Sequence, residues 1–518
     1  MRVEEFLRAS AGRLPTKTAL VAGKTRLTFA ELDQMSDRLA GALASHGVAR
    51  GDRVVIFMDN CFEAVVSIFA VLKAGAVFSP INPSTKPDKL AFVLNNCRAS
   101  AIVTQARLAG VASAAMAEAP SVKLAVLAGG REAPDACGCL RFEDATAAKN
   151  AAPAPKSPGI ELDLAMLIYT SGSTGFPKGV MMTHQNIVAA ATSITTYLES
   201  AEDDVILAVL PISFDYGLYQ VLMAAKLGAT LVLEKSFAFP QAILQRMSEE
   251  KVTGLPLVPT MAAIILQMRD LEPGQFPHLR YITNTAAALP PAHIARLQEL
   301  FPSAKLFSMY GLTECKRCTY LPPAELATRP GSVGIAIPGT EAYVVDDHGA
   351  RVGAGVVGEL VIRGPHVMKG YWENAEATDK ALRPGPFPWE KVLHTGDFFR
   401  ADEEGFLYFV GRKDDIIKTR GEKVSPKEVE NVLYALPGIH EAAVIGVADP
   451  ILGLAIKAVV ALAPDAKLTE HDVIRHCAKN LEDFMVPKSV EFRDALPKTE
   501  SGKISRRLVE AEMLEAAE

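Results

Sequence analysis

Short apolar runs alternate with helical patterns along most of this 518-residue chain. Strand-like and helix-like segments follow one another in the order 53–58, 62–73, 76–81, 86–96 and 100–104. The same alternation returns between residues 205 and 258. Strands that alternate with helices are typical of βαβ units, which place the strands in a parallel sheet. The sequence therefore predicts an α/β fold in which parallel βαβ sheets form a large N-terminal domain.

The pattern changes twice in the second half of the chain. After about residue 331, short β-like runs with frequent glycine predict a β-rich subdomain. Beyond Arg412 the pattern indicates a small α+β domain, so we expect domains at 1–412 and 413–518. Two segments have the capping-box sequence that opens a helix, Thr28 to Glu31 and Ser425 to Glu428.

The composition excludes several functional classes. The 54 basic and 60 acidic side chains give a formal charge of −6, and a general nucleic-acid-binding protein is usually basic. The N-terminus MRVEEFLRAS lacks the apolar core of a signal peptide. The most apolar stretch, 62–81, contains Glu63, Lys73 and Gly75, so we expect no transmembrane segment. Seven scattered cysteines suit a reducing, cytoplasmic environment, and the pair Cys315 and Cys318 lacks the second pair of a zinc finger.

The segment from Leu167 to Gly179, LIYTSGSTGFPKG, carries the clearest chemical signal. An apolar strand leads into a loop of small and hydroxyl-bearing residues, and Lys178 follows. Small residues let backbone N–H groups converge on an anion, and a lysine adds positive charge. A Walker A loop would need glycine at position 177, where this chain has proline.

This segment resembles the phosphate loop of the adenylate-forming superfamily, which includes acyl-CoA synthetases, peptide-synthetase adenylation domains and firefly luciferase. Five further motifs resemble those of the superfamily and stand in the same order. They are YGLTE at 310–314, HTGD at 394–397, GRKD at 411–414, KTRGEKVSP at 418–426 and PKTESGK at 497–503.

The resemblance implies a site for ATP and Mg²⁺. It assigns nucleotide binding to Thr170, Ser171, Gly172, Ser173, Thr174, Gly175, Lys178, Tyr310, Asp397 and Arg412. Thr174 and Glu314 would help to hold Mg²⁺, and both belong with Lys503 to the implied catalytic set. Because the acid and ATP are both anionic, the main chemical need is positive charge and orientation, and Lys503 would supply such charge.

The superfamily rotates its small C-terminal domain between two half-reactions. The resemblance places the hinge at Asp414. After rotation, Gly421 would line a tunnel for CoA or for the phosphopantetheine arm of a carrier protein; the competing interpretation of Gly421 is an ordinary turn glycine.

The resemblance also implies a pocket for the acid at Phe214, Asp215, Ala286, Ala287 and Arg317. An aspartate at position 215 pairs with the substrate ammonium in amino-acid-activating relatives. Equally, Asp215 could cap the helix that follows it. The two alanines would narrow the pocket, and Arg317 would face either the pocket or the surface.

Two functions within this chemistry remain open from sequence alone. The first is ATP-dependent formation of an acyl-adenylate from a small carboxylic acid, followed by a thioester with CoA or a carrier protein. The alternative is a stand-alone enzyme that loads a small amino acid such as proline onto a peptidyl carrier protein. A luciferase-like oxidative enzyme and an inactive nucleotide-binding protein are weaker hypotheses. The hypothesis of an inactive protein conflicts with the presence of both Lys503 and Glu314, which such a protein would not need.

Overall fold

A computed structural model describes most of the chain. The described residues are 1–130, 138–148, 154–155, 159–171, 177–268, 270–285, 289–413, 415, 417–419, 422–449, 453–464, 466–481, 483–498 and 504–515. They fold into two compact units. The first comprises Met1–Ala342 and Ile362–His394, and the second comprises Tyr343–Val361 and Thr395–Glu518.

The first unit begins with a set of alternating strands and helices. The helices are α1 (Glu4–Arg13), α2 (Phe29–Ser45), α3 (Phe62–Lys73), α4 (Pro87–Asn96), α5 (Ala109–Ala117) and α6 (Phe142–Thr146). The strands are β1 (Thr18–Ala22), β2 (Thr25–Thr28), β3 (Arg53–Phe57), β4 (Val77–Ile81), β5 (Ala99–Gln105), β6 (Leu124–Ala128) and β7 (Cys139–Arg141).

A second alternating set follows in the same unit. Its strands are β8 (Leu164–Ser171), β9 (Pro177–Thr183), β10 (Val205–Ala208), β11 (Thr230–Leu233), β12 (Gly254–Leu257), β13 (Tyr281–Asn284), β14 (Lys305–Tyr310), β15 (Thr319–Leu321) and β16 (Ser332–Ala336). Its helices are α7 (His184–Tyr197), α8 (Asp215–Leu227), α9 (Pro240–Glu249), α10 (Pro259–Gln267) and α11 (Pro291–Leu300).

A third group of elements follows in the chain. These are β17 (Glu341–Val345), β18 (Gly358–Arg363), α12 (Ala375–Ala381), β19 (Leu382–Pro384), β20 (Lys391–Ala401) and β21 (Leu407–Arg412). The C-terminal part contains β22 (Ile417–Thr419), β23 (Glu422–Val424), α13 (Pro426–Tyr434), β24 (Ile439–Asp449), β25 (Gly453–Leu462), α14 (Glu470–Asn480), β26 (Ser489–Phe492) and α15 (Arg506–Glu515).

The predicted parallel sheets are confirmed. One sheet has the strand order β7-β6-β5-β3-β4-β8-β9 and is parallel except for the final β8–β9 pair. The other runs β14-β13-β12-β10-β11-β1 with all neighbours parallel. Carboxyl ends of parallel strands share one edge of a sheet, and the loops that follow them commonly bind ligands.

Helices cover these sheets with apolar faces. Leu90 and Leu94 of α4 pack with Ile102 of β5 in a fully buried cluster.

The second unit contains a small sheet with the strand order β23-β22-β25-β24 and with β26 beside β25. Val429 of α13 and Val473 of α14 belong to the separate apolar core of this sheet and its helices. The predicted small α+β region at the C-terminal end is thus a sheet with its own helices.

The two capping-box predictions have different outcomes. Thr28 accepts from the Glu31 amide, and the Glu31 carboxylate accepts from the Thr28 amide, so the first box is confirmed. The second prediction is wrong. Ser425 does precede α13 and Pro426 is its first residue, but Ser425 Oγ donates to the carbonyl of Val410 instead. A nearby carbonyl outside the helix competes successfully for the hydroxyl.

Candidate active site

The predicted phosphate loop is flanked in the chain by two paired strands, β8 and β9. Strands β8 and β9 are antiparallel, and Thr170 lies opposite Lys178 and Ser171 opposite Pro177. The residues Gly172, Ser173, Thr174 and Gly175 lie outside the described residues. The hairpin therefore fixes both ends of the loop, and its second strand carries Lys178, the lysine that follows the loop in the sequence.

Lys178 faces an aromatic ring that the sequence did not identify. Its Nζ lies 5.4 Å from the centre of the Tyr371 ring, within the range of a cation–π interaction. A cavity of about 130 Å³ adjoins Lys178 and is bordered by Phe92, Asn96 and Trp372. The lysine is half-buried and oriented by the ring rather than free in solvent.

Tyr371 is held beside β9 by backbone hydrogen bonds. The amide of Trp372 donates to the carbonyl of Gly179 at 2.7 Å, and the amide of Met181 donates to the carbonyl of Gly370 at 2.9 Å. Tyr371 is thus fixed to the strand that follows the phosphate loop. The sequence signal that could have indicated a functional role for Tyr371 is the pair of adjacent aromatic residues in Lys-Gly-Tyr-Trp-Glu, residues 369–373.

Glu314 lies in the loop between β14 and β15 and is also bound by Tyr371. The Tyr371 hydroxyl donates to Glu314 Oε1 at 2.7 Å, and the Met368 amide donates to the Glu314 carbonyl at 2.8 Å. Burial and the Glu314 charge both raise the pKa of Tyr371, so its hydroxyl stays protonated and is the donor. Tyr371 therefore connects the predicted metal-binding carboxylate to the lysine of the phosphate loop.

The chemistry of this carboxylate suits magnesium, which prefers oxygen ligands. Among the residues that the structure describes, no group of three or more His, Cys, Asp or Glu side chains comes together to hold a metal. A Mg²⁺ ion that keeps several waters and binds phosphate oxygens needs only one or two carboxylates. The position of Glu314 is compatible with that mode.

The loop that carries Glu314 has a constrained backbone. It follows Tyr310, the last residue of β14, which is half-buried. A Cβ atom at Gly311 would lie 2.3 Å from the carbonyl oxygen of Lys316, so glycine is required there by close approach. Lys316 itself has φ of +64°, the left-handed region that few non-glycine residues adopt. The buried thiols of Cys315 and Cys318 are in contact, with Sγ atoms 3.0 Å apart.

In the second unit, strand register brings two predicted nucleotide-binding residues together. Asp397 on β20 lies opposite Arg412 on β21, with Arg412 Nε 3.7 Å from Asp397 Oδ1. Asp397 is buried, whereas the arginine side chain is largely exposed. The Asp397 amide donates to Thr395 Oγ1 at 3.2 Å. A buried carboxylate beside a cation is suited to accept hydrogen bonds from hydroxyl groups.

The predicted acid pocket contains an ion pair that the sequence did not reveal. Oδ2 of Asp215 lies 3.3 Å from Nζ of Lys316, and both residues are buried. Burial lowers the pKa of Lys316 to about 7, although the Asp215 charge opposes that shift. These residues follow the carboxyl ends of β10 and β14, on the edge of the sheet where ligands are expected. The buried position of an aspartate and a lysine on separate loops has no local sequence signal.

The alternative interpretation of Asp215 as a helix cap is wrong. Helix α8 begins at Asp215 itself, and Phe214 occupies the capping position. An acidic residue in the first turn still interacts favourably with the helix dipole. The Phe214 side chain is partly exposed, and its ring meets the Tyr216 ring edge-on with centres 6.5 Å apart.

Arg317 is buried rather than on the surface. It is 2% exposed, and its guanidinium carbon lies 5.1 Å from the centre of the Tyr216 ring. The remaining predicted residues lie outside the described ranges. They are Ala286, Ala287, Asp414, Gly421 and Lys503.

Comparison with known proteins identifies the family. The model for AMP-binding enzymes matches residues 7–372, and that for the AMP-binding enzyme C-terminal domain matches 428–503. The chain belongs to the adenylate-forming superfamily of AMP-binding enzymes. Within the described ranges of this superfamily member, none of the helices is both long enough and apolar enough to cross a lipid bilayer.

Its similarity to individual ligases extends over almost the whole chain. It is 32% identical to a long-chain-fatty-acid–CoA ligase of Bacillus subtilis, covering 98% of this chain and 94% of the relative. It is 35% identical to a feruloyl-CoA synthase of Amycolatopsis, covering 95% of this chain and 94% of the relative. These relatives place the chain among the AMP-forming acyl-CoA synthetases, which activate an acid with ATP and form a CoA thioester.

Solved structures agree with this assignment. ATP-bound MatB from Rhodopseudomonas palustris matches with a TM-score of 0.87 at 28% identity, covering 99% of each chain. The anthranilate CoA ligase AuaEII, in complex with anthranoyl-AMP, matches with a TM-score of 0.88 at 28% identity, covering 100% of this chain and 98% of the other. The predicted superfamily and fold class are both confirmed.

Proposed function

We propose that this enzyme activates a small carboxylic acid and transfers its acyl group to CoA. The observation that carries the proposal is the match, over almost the full length of the chain, to CoA ligases that are named for different acids. A carboxylate oxygen attacks the α-phosphorus of ATP and pyrophosphate leaves. The CoA thiol then attacks the acyl carbon, loses its proton, and AMP leaves.

In this proposal, Lys178 and Glu314 serve the phosphates. Bound ATP with Mg²⁺ supplies the electrophilic phosphorus and a partly neutralised leaving group. Lys178 contributes positive charge from β9, and Glu314 contributes a metal-binding oxygen. The hydroxyl of Tyr371 orients that carboxylate, while its ring limits the positions of the lysine. The hydroxyls and amides of residues 170–175 would bind the outer phosphates.

Asp397, Arg412 and Tyr310 would bind the nucleoside. The buried Asp397 carboxylate is suited to accept from both ribose hydroxyls, and Arg412 restrains it across the β20–β21 pair. Tyr310 would stack on adenine. Support for these roles comes from the chemistry of the side chains and from their places in the superfamily's motifs.

The second domain, 413–518 in this proposal, supplies the groups that differ between the two half-reactions. Lys503 would place its charge beside the carboxylate and the α-phosphate during adenylation. Rotation about Asp414 would then replace it with the loop at Gly421, where a small residue leaves room for the thiol arm.

Exchange of labelled pyrophosphate into ATP tests the first half-reaction. We expect exchange that depends on an added small acid, and a loss of about a thousandfold or more in Lys503→Ala. Lys488→Ala is the matched control because Lys488 is an exposed lysine of the same C-terminal part of the chain, where it pairs with Asp449. Full exchange in Lys503→Ala would remove that residue from adenylation. No exchange by the wild-type enzyme with any acid would refute the proposed function.

Release of AMP in the presence of different thiols tests the second half-reaction. We expect CoA to support AMP release and thioester formation with the same acid that supports exchange. Thioester formation on a phosphopantetheinylated carrier protein, but not on CoA, would overturn the choice of acceptor and favour the carrier-protein alternative.

A further inference from the structure

The buried charges around Asp215 bear on the class of acid, an inference that rests on the proposed acid activation. Asp215 and Lys316 are 8% and 3% exposed, so each is removed from water and depends on the other for charge compensation. In the described part of the chain, Lys316 is the one cation within ion-pairing distance of Asp215. The carboxylate therefore already has a partner.

Several contacts fix the position of Lys316. Its Nζ lies 4.5 Å from the centre of the Tyr219 ring and 5.5 Å from that of Tyr216. Its backbone is held in the left-handed region, and Gly311 packs against its carbonyl oxygen. An aromatic enclosure on one side and a constrained backbone on the other leave the ammonium few alternative positions.

A second buried cation lies next in the chain. Arg317 is 2% exposed, and among the described residues its Nε has no hydrogen-bond partner and its guanidinium has no carboxylate within 4 Å. The cluster of Asp215, Lys316 and Arg317 thus contains two basic side chains and one acidic side chain. An additional cation placed here would meet repulsion and would lack a free counter-charge.

We propose that Lys316 is an internal counter-ion of Asp215 that takes the place of a substrate ammonium, so that the enzyme selects carboxylic acids without an α-ammonium group. A substrate ammonium would have to displace a lysine that is held by two rings and by its own backbone. Acids with a neutral α-substituent require no such displacement. Lys316 is then a specificity-determining residue that acts against amino acids.

Matched acid pairs test this inference by pyrophosphate exchange. The pairs are isobutyrate with alanine, cyclopentanecarboxylate with proline, and α-methylhydrocinnamate with phenylalanine. Within each pair the size is nearly equal, and a carbon group replaces the ammonium. We expect the wild-type enzyme to favour the acid over the amino acid by about tenfold or more in kcat/KM.

Two variants separate an electrostatic role from a structural one. Lys316→Met leaves Asp215 without its lysine partner. The ratio of kcat/KM for the amino acid to kcat/KM for the matched acid should therefore rise at least about tenfold. The double variant Asp215→Asn with Lys316→Met removes both charges, so that gain should disappear. Lys316→Gln provides the same comparison if the methionine variant does not fold. A wild-type preference for the amino acids, or an unchanged ratio in the single variant, would overturn the inference.

Failure of the proposed function gives a different result. Absence of exchange by the wild-type enzyme with every acid and amino acid would refute acid activation itself. A double-mutant cycle on the midpoint of thermal unfolding then decides about the ion pair. Coupling between positions 215 and 316 would support the internal counter-ion, and simple additivity would overturn it.

Discussion

Replacing Tyr371 by phenylalanine should impair adenylation while leaving the ring in place. The substitution removes the hydroxyl that donates to Glu314 Oε1 at 2.7 Å. It keeps the aromatic face that lies 5.4 Å from Nζ of Lys178, and it leaves the backbone bonds of residues 370–372 to β9 unchanged. The variant therefore isolates one hydrogen bond to the predicted metal-binding carboxylate.

The expected loss of exchange rate follows from the strength of that hydrogen bond. A hydrogen bond from a neutral hydroxyl to an ionised carboxylate contributes about 1.5–3 kcal/mol. Because about 1.4 kcal/mol corresponds to a tenfold change in rate, the rate of exchange at limiting Mg²⁺ should fall by about 10- to 100-fold. The fall should be smaller at saturating Mg²⁺, since bound metal can itself orient Glu314.

The assay is pyrophosphate exchange measured over a Mg²⁺ titration, with thermal unfolding measured in parallel. Tyr408→Phe is the matched control, since the Tyr408 hydroxyl donates to the Asp402 carboxylate at 3.2 Å outside the predicted site. If Tyr371 acts through Glu314, the combination of Tyr371→Phe with Glu314→Gln should lose little more than Glu314→Gln alone. Equal exchange by Tyr371→Phe and wild type at every Mg²⁺ concentration would refute the positioning role.

Three other predictions concern separate features of the fold. Gly311→Ala should lower exchange at least about tenfold, because its Cβ would lie 2.3 Å from the Lys316 carbonyl oxygen, whereas Gly110→Ala meets open space and should leave exchange unchanged. Burial lowers the pKa of His184 in the folded protein to about 4. As the pH falls from about 6.5 to 4, this histidine therefore takes up a proton in the unfolded chain before it does so in the folded protein. That difference lowers the free energy of unfolding by up to about 3 kcal/mol. The buried Glu4, with a raised pKa, opposes part of that loss; His184→Asn should flatten the pH dependence of the unfolding midpoint, and an unaltered slope would contradict the assignment. Finally, Gly421→Ile should preserve exchange but abolish CoA-dependent AMP release, and normal thioester formation would exclude Gly421 from the thiol path.

The sequence alone was sufficient for features that depend on local pattern or on ordered motifs. Periodic apolar residues predicted α3 at its observed limits, 62–73, and alternation with strands predicted parallel sheets. The motifs HTGD and GRKD marked Asp397 and Arg412 as nucleotide-binding residues, but they did not show that the two residues lie opposite each other on β20 and β21. Such features follow from backbone geometry and from residues close together in the chain, so they can be read without knowing the tertiary structure.

The tertiary structure decided which side chains meet over long separations. Tyr371 and Glu314 are 57 residues apart, and Asp215 and Lys316 are 101 apart. Neither pair has a local signal, because each forms only after segments that are distant in the chain pack together. The failed cap at Ser425 has the same origin, since a carbonyl 15 residues earlier in the chain became its partner. Motifs thus identified the superfamily, whereas burial and packing determined that Asp215 is already neutralised by the chain's own lysine.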